Sequence, residues 1–248
     1  MKCDPACIAI SQKGEIFVAD CCFVRVYRPD RSRVRTWRIN GHRYFHHTFG
    51  WRTLDHPRSI ALSANEVFLA DHCTLQVFRE DGCFLRTIVT HLHPSNWITS
   101  CAISGNRVTI ARDYTRPQVF DLNGSFVRHF DCPELPIWPS HHGLAIDNDL
   151  IFVADFHGHR ILVVDLYGML IRTWGSEGKG KGQFQSISTL AIAHGEVFVG
   201  DERRIQVFSP DGCFLRQHHL SDSAKHFAVS QTGQIFIVTE HYIQVFPS

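Results

Sequence analysis

The sequence lacks a long apolar segment, an excess charge of either sign and a sustained helical pattern. No run of 18 apolar residues occurs in the 248 residues, so no segment has the composition of a membrane-spanning helix. The 25 basic and 24 acidic residues give a net charge near +1, which provides no general attraction to nucleic acid or to an anionic membrane. No segment keeps a 3.6-residue period, which predicts essentially no helix.

Lysine is also scarce, since the basic side chains are 20 Arg and 5 Lys. The planar guanidinium group of Arg suits bidentate contacts with carboxylates and phosphates. The composition therefore leaves room for discrete anion contacts.

The nine cysteines do not form an obvious disulfide framework. An odd number leaves at least one unpaired, and Cys83 and Cys213 recur within two Asp-Gly-Cys-Phe-Leu-Arg segments, which indicates repeated strand residues. Residues 1–5 lack the apolar stretch of a signal peptide. We therefore expect reduced thiols and a cytoplasmic location.

Six internal repeats dominate the sequence. Each has short apolar strands separated by turn residues, and one position recurs at the end of the second strand of every repeat: Asp20, Asp71, Arg112, Asp155, Asp201 and Thr239. Four short strands per unit at a period of about 40–50 residues are typical of a β-propeller. The sequence therefore predicts one all-β domain over residues 1–248, a six-bladed β-propeller with blades near 6–40, 57–90, 99–131, 141–175, 187–218 and 225–248.

The sixth repeat stops after its third strand. This predicts a three-stranded last blade and 23 strands in all. The outer strand of that blade, Ile243, Gln244, Val245 and Phe246, would then offer a free edge that could pair with another chain.

Three segments carry a family resemblance. Residues 175–184 read Gly-Ser-Glu-Gly-Lys-Gly-Lys-Gly-Gln-Phe, residues 152–161 read Phe-Val-Ala-Asp-Phe-His-Gly-His-Arg-Ile, and residues 204–212 read Arg-Ile-Gln-Val-Phe-Ser-Pro-Asp-Gly. Over almost the whole chain the pattern resembles the NHL-repeat family, as found in tripartite-motif-NHL proteins. The resemblance implies a non-enzymatic platform that binds protein or RNA through propeller loops. Cysteines in paired Cys-x2-Cys spacing are lacking, so ligase activity is not implied.

Two rings of residues are expected to line the face where the inter-blade loops meet. The ring before the first strands is Cys7, Ser59, Ser100, Gly143, Thr189 and His226, and the ring after the second strands is Phe23, Thr74, Arg116, Arg160, Arg204 and Tyr242. The first ring holds no Asp, Glu or Asn, the oxygen ligands that a calcium-dependent propeller esterase needs. Cys7, His142 and His226 are candidate ligands for a zinc-dependent lyase, but their spacing is loose, and histidines at the surface or in hydrogen bonds are the better interpretation.

We expect no cofactor, no enzymatic activity and no membrane contact, with a lyase or esterase as a third alternative. The candidate binding face consists of Arg43, Tyr44, Phe45, Trp97, Arg112, Arg116, Arg160, Arg203, Arg204 and Tyr242. Protein binding is the first prediction. RNA binding is the second, because a local arginine and aromatic patch can hold phosphates and stack bases. The alternative is structural: each Arg pairs with a preceding Asp, and the aromatic residues pack between blades.

Overall fold

A computed structural model describes residues 5–39, 44–46, 50–52, 57–71, 74–90, 97–112, 115–130 and 141–247. These residues form antiparallel strands and no helix, and so no described segment is a helix that could cross a membrane.

The strands are arranged in six consecutive sheets. Blade one comprises β1 (Cys7–Ile10), β2 (Ile16–Ala19), β3 (Phe23–Tyr27) and β4 (Arg33–Arg38), and blade two comprises β7 (Ser59–Leu62), β8 (Glu66–Ala70), β9 (Thr74–Arg79) and β10 (Phe84–Val89). Blade three comprises β11 (Ile98–Ser104), β12 (Arg107–Arg112), β13 (Gln118–Asp121) and β14 (Phe126–His129). Blade four comprises β15 (His141–Asp147), β16 (Leu150–Asp155), β17 (Arg160–Asp165) and β18 (Leu170–Trp174). Blade five comprises β19 (Ile187–Ala193), β20 (Glu196–Asp201), β21 (Arg204–Phe208) and β22 (Phe214–His219). Blade six comprises β23 (His226–Val229), β24 (Ile235–Val238) and β25 (Ile243–Phe246).

The prediction of an all-β, six-bladed propeller with a three-stranded last blade is confirmed. The blades hold the expected 23 strands, but a small hairpin of β5 (Tyr44–His46) and β6 (Gly50–Arg52) adds two more between blades one and two. The hairpin lies between the predicted blades 6–40 and 57–90 and belongs to no repeat, so the repeat pattern does not predict it. The count of 23 strands in all is therefore wrong by this hairpin.

The core lies between the blades. Second strands such as β2 and β24 are buried along their whole length because both faces of the sheet pack against neighbours. Six apolar clusters result, one at each junction between successive blades, and the sixth joins blade six back to blade one through Ile8, Val18, Phe236 and Val238. The first strands of successive blades also contact one another in a closed ring, β1–β7–β11–β15–β19–β23–β1.

Two glycine turns pack against the outer strand of the preceding blade. Gly82 and Gly212 follow the third strands of their blades and have φ values of +95° and +89°, a region that other residues rarely occupy. A Cβ atom at Gly212 would lie 2.7 Å from the Trp174 ring of blade four, and one at Gly82 would lie 2.6 Å from Trp37 of blade one. The two outer-strand tryptophans thus pack directly on these turns.

Candidate binding face

Within the described residues, the starts of the first strands, the ends of the fourth strands and the turns between second and third strands lie at one end of the propeller. This follows from the antiparallel pairing, since the start of β1 pairs with the end of β2 in the register Cys7↔Ala19, and β20 ends opposite the start of β21 in the register Asp201↔Arg204. We call this end the loop face. It positions almost every residue that the sequence singled out.

Buried aspartates shape the loop face. Asp20, Asp155 and Asp201 are almost inaccessible to solvent and end the second strands of their blades. One carboxylate oxygen of each accepts backbone N–H groups of a nearby loop, as Asp155 does from Gly158 at 2.9 Å, and the other accepts an arginine. Such charge-assisted bonds satisfy the buried carboxylates and fix the turns.

The interaction of Arg204 with Asp201 shows how these arginines are used. Arg204 donates to Oδ2 of Asp201 at 2.8 Å and 3.0 Å, and its Nη atoms donate to the carbonyl oxygens of Lys179 and Gln183 at 2.6 Å and 2.9 Å. Gln206 adds a bond to the Gln183 carbonyl at 2.7 Å. The Arg204 side chain is only 13% exposed, so its role is to hold the glycine-rich loop against blade five.

The other predicted arginines differ in whether they form an ion pair with a buried aspartate. Arg160 donates to Asp155 at 2.9 Å, and Arg25 makes the equivalent ion pair with Asp20 in blade one. The alternative interpretation, in which arginines bind the preceding aspartates, therefore holds at these positions and at Arg204. Arg203 is exposed, and Arg116 is partly buried.

Arg112 was expected on the basic face, and this placement is wrong because the residue is completely buried. It occupies the position where four other blades have Asp, and its guanidinium donates to the hydroxyl of Thr90. With Arg112 and Arg204 inside the structure, the described residues do not support a continuous basic patch across blades three to five.

Two aromatic side chains are exposed at the loop face. Trp97 is 37% exposed and Tyr242 is 46% exposed. The Arg58 guanidinium lies over the Trp97 ring at 4.5 Å from the centroid, which is a cation–π geometry. Sequence reasoning missed Arg58, although its place directly before the first strand of blade two marks the loop face.

Part of the predicted face cannot be placed. Arg43 lies outside the described residues. Tyr44 and Phe45 belong to β5 and pair with Arg52 and Trp51, and their side chains are not described. The hairpin shows that this connection has strand structure of its own near the loop face.

The predicted inner ring lies where expected, at the loop-face ends of the first strands. Ser59 and Ser100 are buried, and their hydroxyls accept the backbone N–H groups of Cys101 and Leu144 at 3.2 Å and 3.1 Å. Each bond runs from one blade to the next. These two ring members therefore join neighbouring blades.

His226 is the unusual member of the ring. Its Nδ1 atom is buried without a hydrogen-bond partner among the described residues, and burial lowers the pKa of the imidazole to about 4. The residue keeps some exposure at the ring mouth. The imidazole is therefore neutral at physiological pH, because protonation would place an uncompensated charge among the buried residues of the inner ring of first strands.

The zinc candidates do not assemble among the described residues. Burial raises the pKa of the Cys7 thiol well above its usual range, which disfavours the thiolate that a metal needs. The side chain of His142 lies outside the described residues, and Cys7 and His226 belong to no group of three ligands there.

One group in blade one does bring ligand atoms together. Atoms of Asp20, Cys21 and Cys22 lie within 4.8 Å of one another. Cys21 is disulfide-bonded, so the expectation of reduced thiols is wrong at this residue. Because the Asp20 oxygens already accept Arg25 and the N–H groups of Cys22 and Phe23, this group does not form a metal site.

The predicted edge strand is present. Residues of β25 pair with β24 in the register Ile235↔Phe246 to Val238↔Ile243, and no described strand pairs with the opposite side of β25. All four residues of β25 are partly buried. Pairing of this edge with another chain stays a prediction.

Comparison with solved structures supports the propeller architecture. The crystal structure of the WD40 beta propeller domain of Doa1 is similar over 98% of this chain and 79% of that chain, with a TM-score of 0.70 and 13% identity. The computationally designed Ika8 protein is similar over 100% of this chain and 97% of that chain, with a TM-score of 0.59 and 14% identity. No family model and no curated protein matches the sequence. At these identities the similarity shows the fold alone, a β-propeller.

Proposed function

We propose that this chain is a non-enzymatic protein-binding scaffold of the NHL-repeat type, and that its partner binds the loop face. The observation that carries the proposal is the exposed Trp97 ring stacked with Arg58. Tryptophan, tyrosine and arginine are the residues that most often dominate protein interfaces. Propellers in general serve as interaction platforms, and the Doa1 domain shares this architecture.

The electrostatics of the loop face favour a protein over RNA. Binding to nucleic acid depends mainly on free basic side chains that neutralise phosphates. Arg160 and Arg204 are bound to aspartates, and Arg112 is buried. The net charge near +1 adds no further attraction.

Affinity capture with and without nuclease identifies candidate partners, and direct binding with the purified partner then tests the face. We expect capture to survive nuclease. Alanine at Trp97 or Tyr242 should weaken binding at least tenfold, as expected for interface hot spots. The matched control is Leu215→Ala, which removes a similarly exposed apolar side chain from an outer strand and should leave binding unchanged.

Two results would contradict this proposal. Capture that disappears with nuclease and falls steeply with salt would indicate RNA binding instead. Equal affinities for the Trp97→Ala variant and the wild type would show that the partner binds elsewhere. The cytoplasmic location stays a prediction, to be tested by fractionation together with a thiol count at Cys21.

A further inference from the structure

An ion pair of one arginine and one glutamate recurs at the end of the propeller opposite the loop face. The fourth strands of blades one, two and five each carry an Arg that binds a Glu at the start of the second strand of the same blade. In blade two, Arg86 donates through Nη1 and Nη2 to the two carboxylate oxygens of Glu66 at 2.8 Å and 2.7 Å. The other two pairs are Arg35 with Glu15 and Arg216 with Glu196, at 2.6–2.9 Å.

Two of these pairs lower the pKa of their glutamate. The Arg216 hydrogen bonds lower the pKa of the Glu196 carboxyl, and the Arg35 hydrogen bonds do the same for Glu15. The bidentate geometry is the one in which guanidinium and carboxylate interact most strongly. Three blades therefore show that this position in the fold accommodates a carboxylate.

Blade three has the arginine but not the carboxylate. Arg128 occupies the place of Arg86, since Arg128 pairs with Val119 as Arg86 pairs with Val77. The position of Glu66 is taken by Arg107, which pairs with Asp121 as Glu66 pairs with Arg79. Two guanidinium groups therefore replace an ion pair at the same site.

Neither arginine has an acidic partner among the described residues. Arg128 donates through Nη2 to the Leu166 carbonyl of blade four and lies over the Tyr167 ring at 4.7 Å. Its Nε atom is buried with no acceptor, whereas the Nε atom of Arg86 donates to the Leu122 carbonyl at 3.1 Å. The hydrogen-bonding capacity of Arg128 is thus only partly used.

Both arginines line a cavity of about 190 Å³ between blades three and four. Ser104, Asn106 and Thr109 also line it. Among the described lining residues Asp149 is the only acidic one, and it is exposed on the side of blade four. Asp121 lies opposite Arg107 in the register of β12 and β13. Its carboxylate accepts the Ser125 N–H at 2.8 Å and forms no ion pair with Arg107 among the described residues.

Exposed apolar residues lie in the strands and the turn next to the cavity lining. Tyr167 is 71% exposed and Met169 is 63% exposed, and both belong to the turn that Arg128 contacts. Val127 and Ile171 are exposed on the adjoining outer strands. Exposed apolar residues beside a pair of arginines are typical of a protein-binding site rather than of a site for a small hydrophilic ion.

We propose that this cavity binds the carboxylate of a glutamate or aspartate side chain on a protein partner. Apolar residues next to that glutamate or aspartate would contact the exposed apolar side chains beside the cavity, such as Tyr167 and Met169. The ligand carboxylate takes the place that Glu66 fills in blade two and bridges Arg107 and Arg128. This proposal depends on the proposed function only because it takes a protein as the partner. It is on the opposite face and is tested without that partner.

The test uses capped tripeptides, Leu-Glu-Leu and Leu-Gln-Leu, titrated into protein labelled with ¹⁵N-arginine. We expect the Glu peptide to shift the side-chain resonances of Arg107 and Arg128, and the Gln peptide to bind at least tenfold more weakly. Equal binding of the two peptides, or no shift at either arginine, would overturn the proposal.

Variants sharpen the experiment. Arg107→Glu supplies an internal carboxylate as in blade two, so it should abolish peptide binding while the thermal midpoint stays the same or rises. Arg107→Gln removes one guanidinium but supplies no internal carboxylate, so it should weaken peptide binding. Asp149→Asn should tighten binding, because it removes a negative charge from the cavity lining. Arg86→Ala is the matched control, since its site is already filled and its loss should not affect the peptide.

Two further probes decide the ligand class. Inorganic phosphate and octauridylate are titrated in the same way, and both should bind more weakly than the Glu peptide. A stronger response to octauridylate that Arg107→Glu abolishes would refute the assignment to an acidic protein segment. Trp97→Ala should leave peptide binding intact, so a failed loop-face proposal and a failed cavity proposal give different results.

Discussion

The neutral His226 imidazole predicts a specific loss of stability in mild acid. Its pKa is about 4 in the folded protein, against about 6.5 in an unfolded chain. Between these values the unfolded state binds the proton and the folded state does not. The contribution of His226 is therefore complete above pH 6.5 and is lost as the pH falls toward 4.

The magnitude follows from the difference between the two pKa values. Each pKa unit corresponds to about 1.4 kcal/mol, so the free energy of unfolding should fall by about 2 kcal/mol between pH 8 and pH 5 through this residue alone. Full protonation would cost about 3 kcal/mol. These figures are upper values, because residual exposure at the ring mouth screens the charge.

Urea denaturation at pH 8, 7, 6 and 5 measures the effect in the wild type and in His226→Gln, which cannot titrate. The variant should lose about 2 kcal/mol less than the wild type over this range. The pKa of His218 is also lowered by burial and by Arg216, and comparison of the two proteins removes its contribution. An NMR titration that places the His226 midpoint near 6.5, or parallel pH profiles for both proteins, would refute the reasoning.

Two further predictions concern the loops and turns. Arg204→Ala should destabilise the protein by about 1.5–3 kcal/mol and expose residues 175–184 to proteolysis, because it removes charge-assisted bonds to that loop; Arg203→Ala, at an exposed neighbour, should do neither. Gly212→Ala should cost about 2–3 kcal/mol in urea denaturation, since it combines a positive φ with a clash against Trp174. Gly195→Ala should cost only about 1 kcal/mol because its surroundings are open.

The fold could be predicted because the information is local and repeated. Each blade carries its own apolar strands and turn glycines, and the recurrence of Asp at the end of the second strand sets the period without any long-range contact. The three-stranded last blade followed from the same count. The β5–β6 hairpin was missed because it belongs to no repeat.

The site was harder to predict because an arginine at a repeat position has two possible roles. Arg204 and Arg203 are adjacent in sequence, yet one holds the glycine-rich loop and the other is exposed. Arg112 was expected to resemble them, but replacing Asp with Arg at the end of β12 places a guanidinium in the interior. Only the three-dimensional partners distinguish these cases. The presence of Arg107 in place of a glutamate, by contrast, can be seen in the sequence once blade three is aligned with blades one, two and five.

Each described blade sheet is formed by one uninterrupted stretch of sequence. All backbone pairing within a blade can therefore form before distant parts of the chain meet, which lowers the contact order and favours sequential folding. The junction of blades one and six is different, because it depends on side-chain packing and on a bond from Gln231 to the Gln12 carbonyl at 2.8 Å. Ring closure is consequently the step with the longest sequence separation, and this junction is where reversible opening of the native ring should begin.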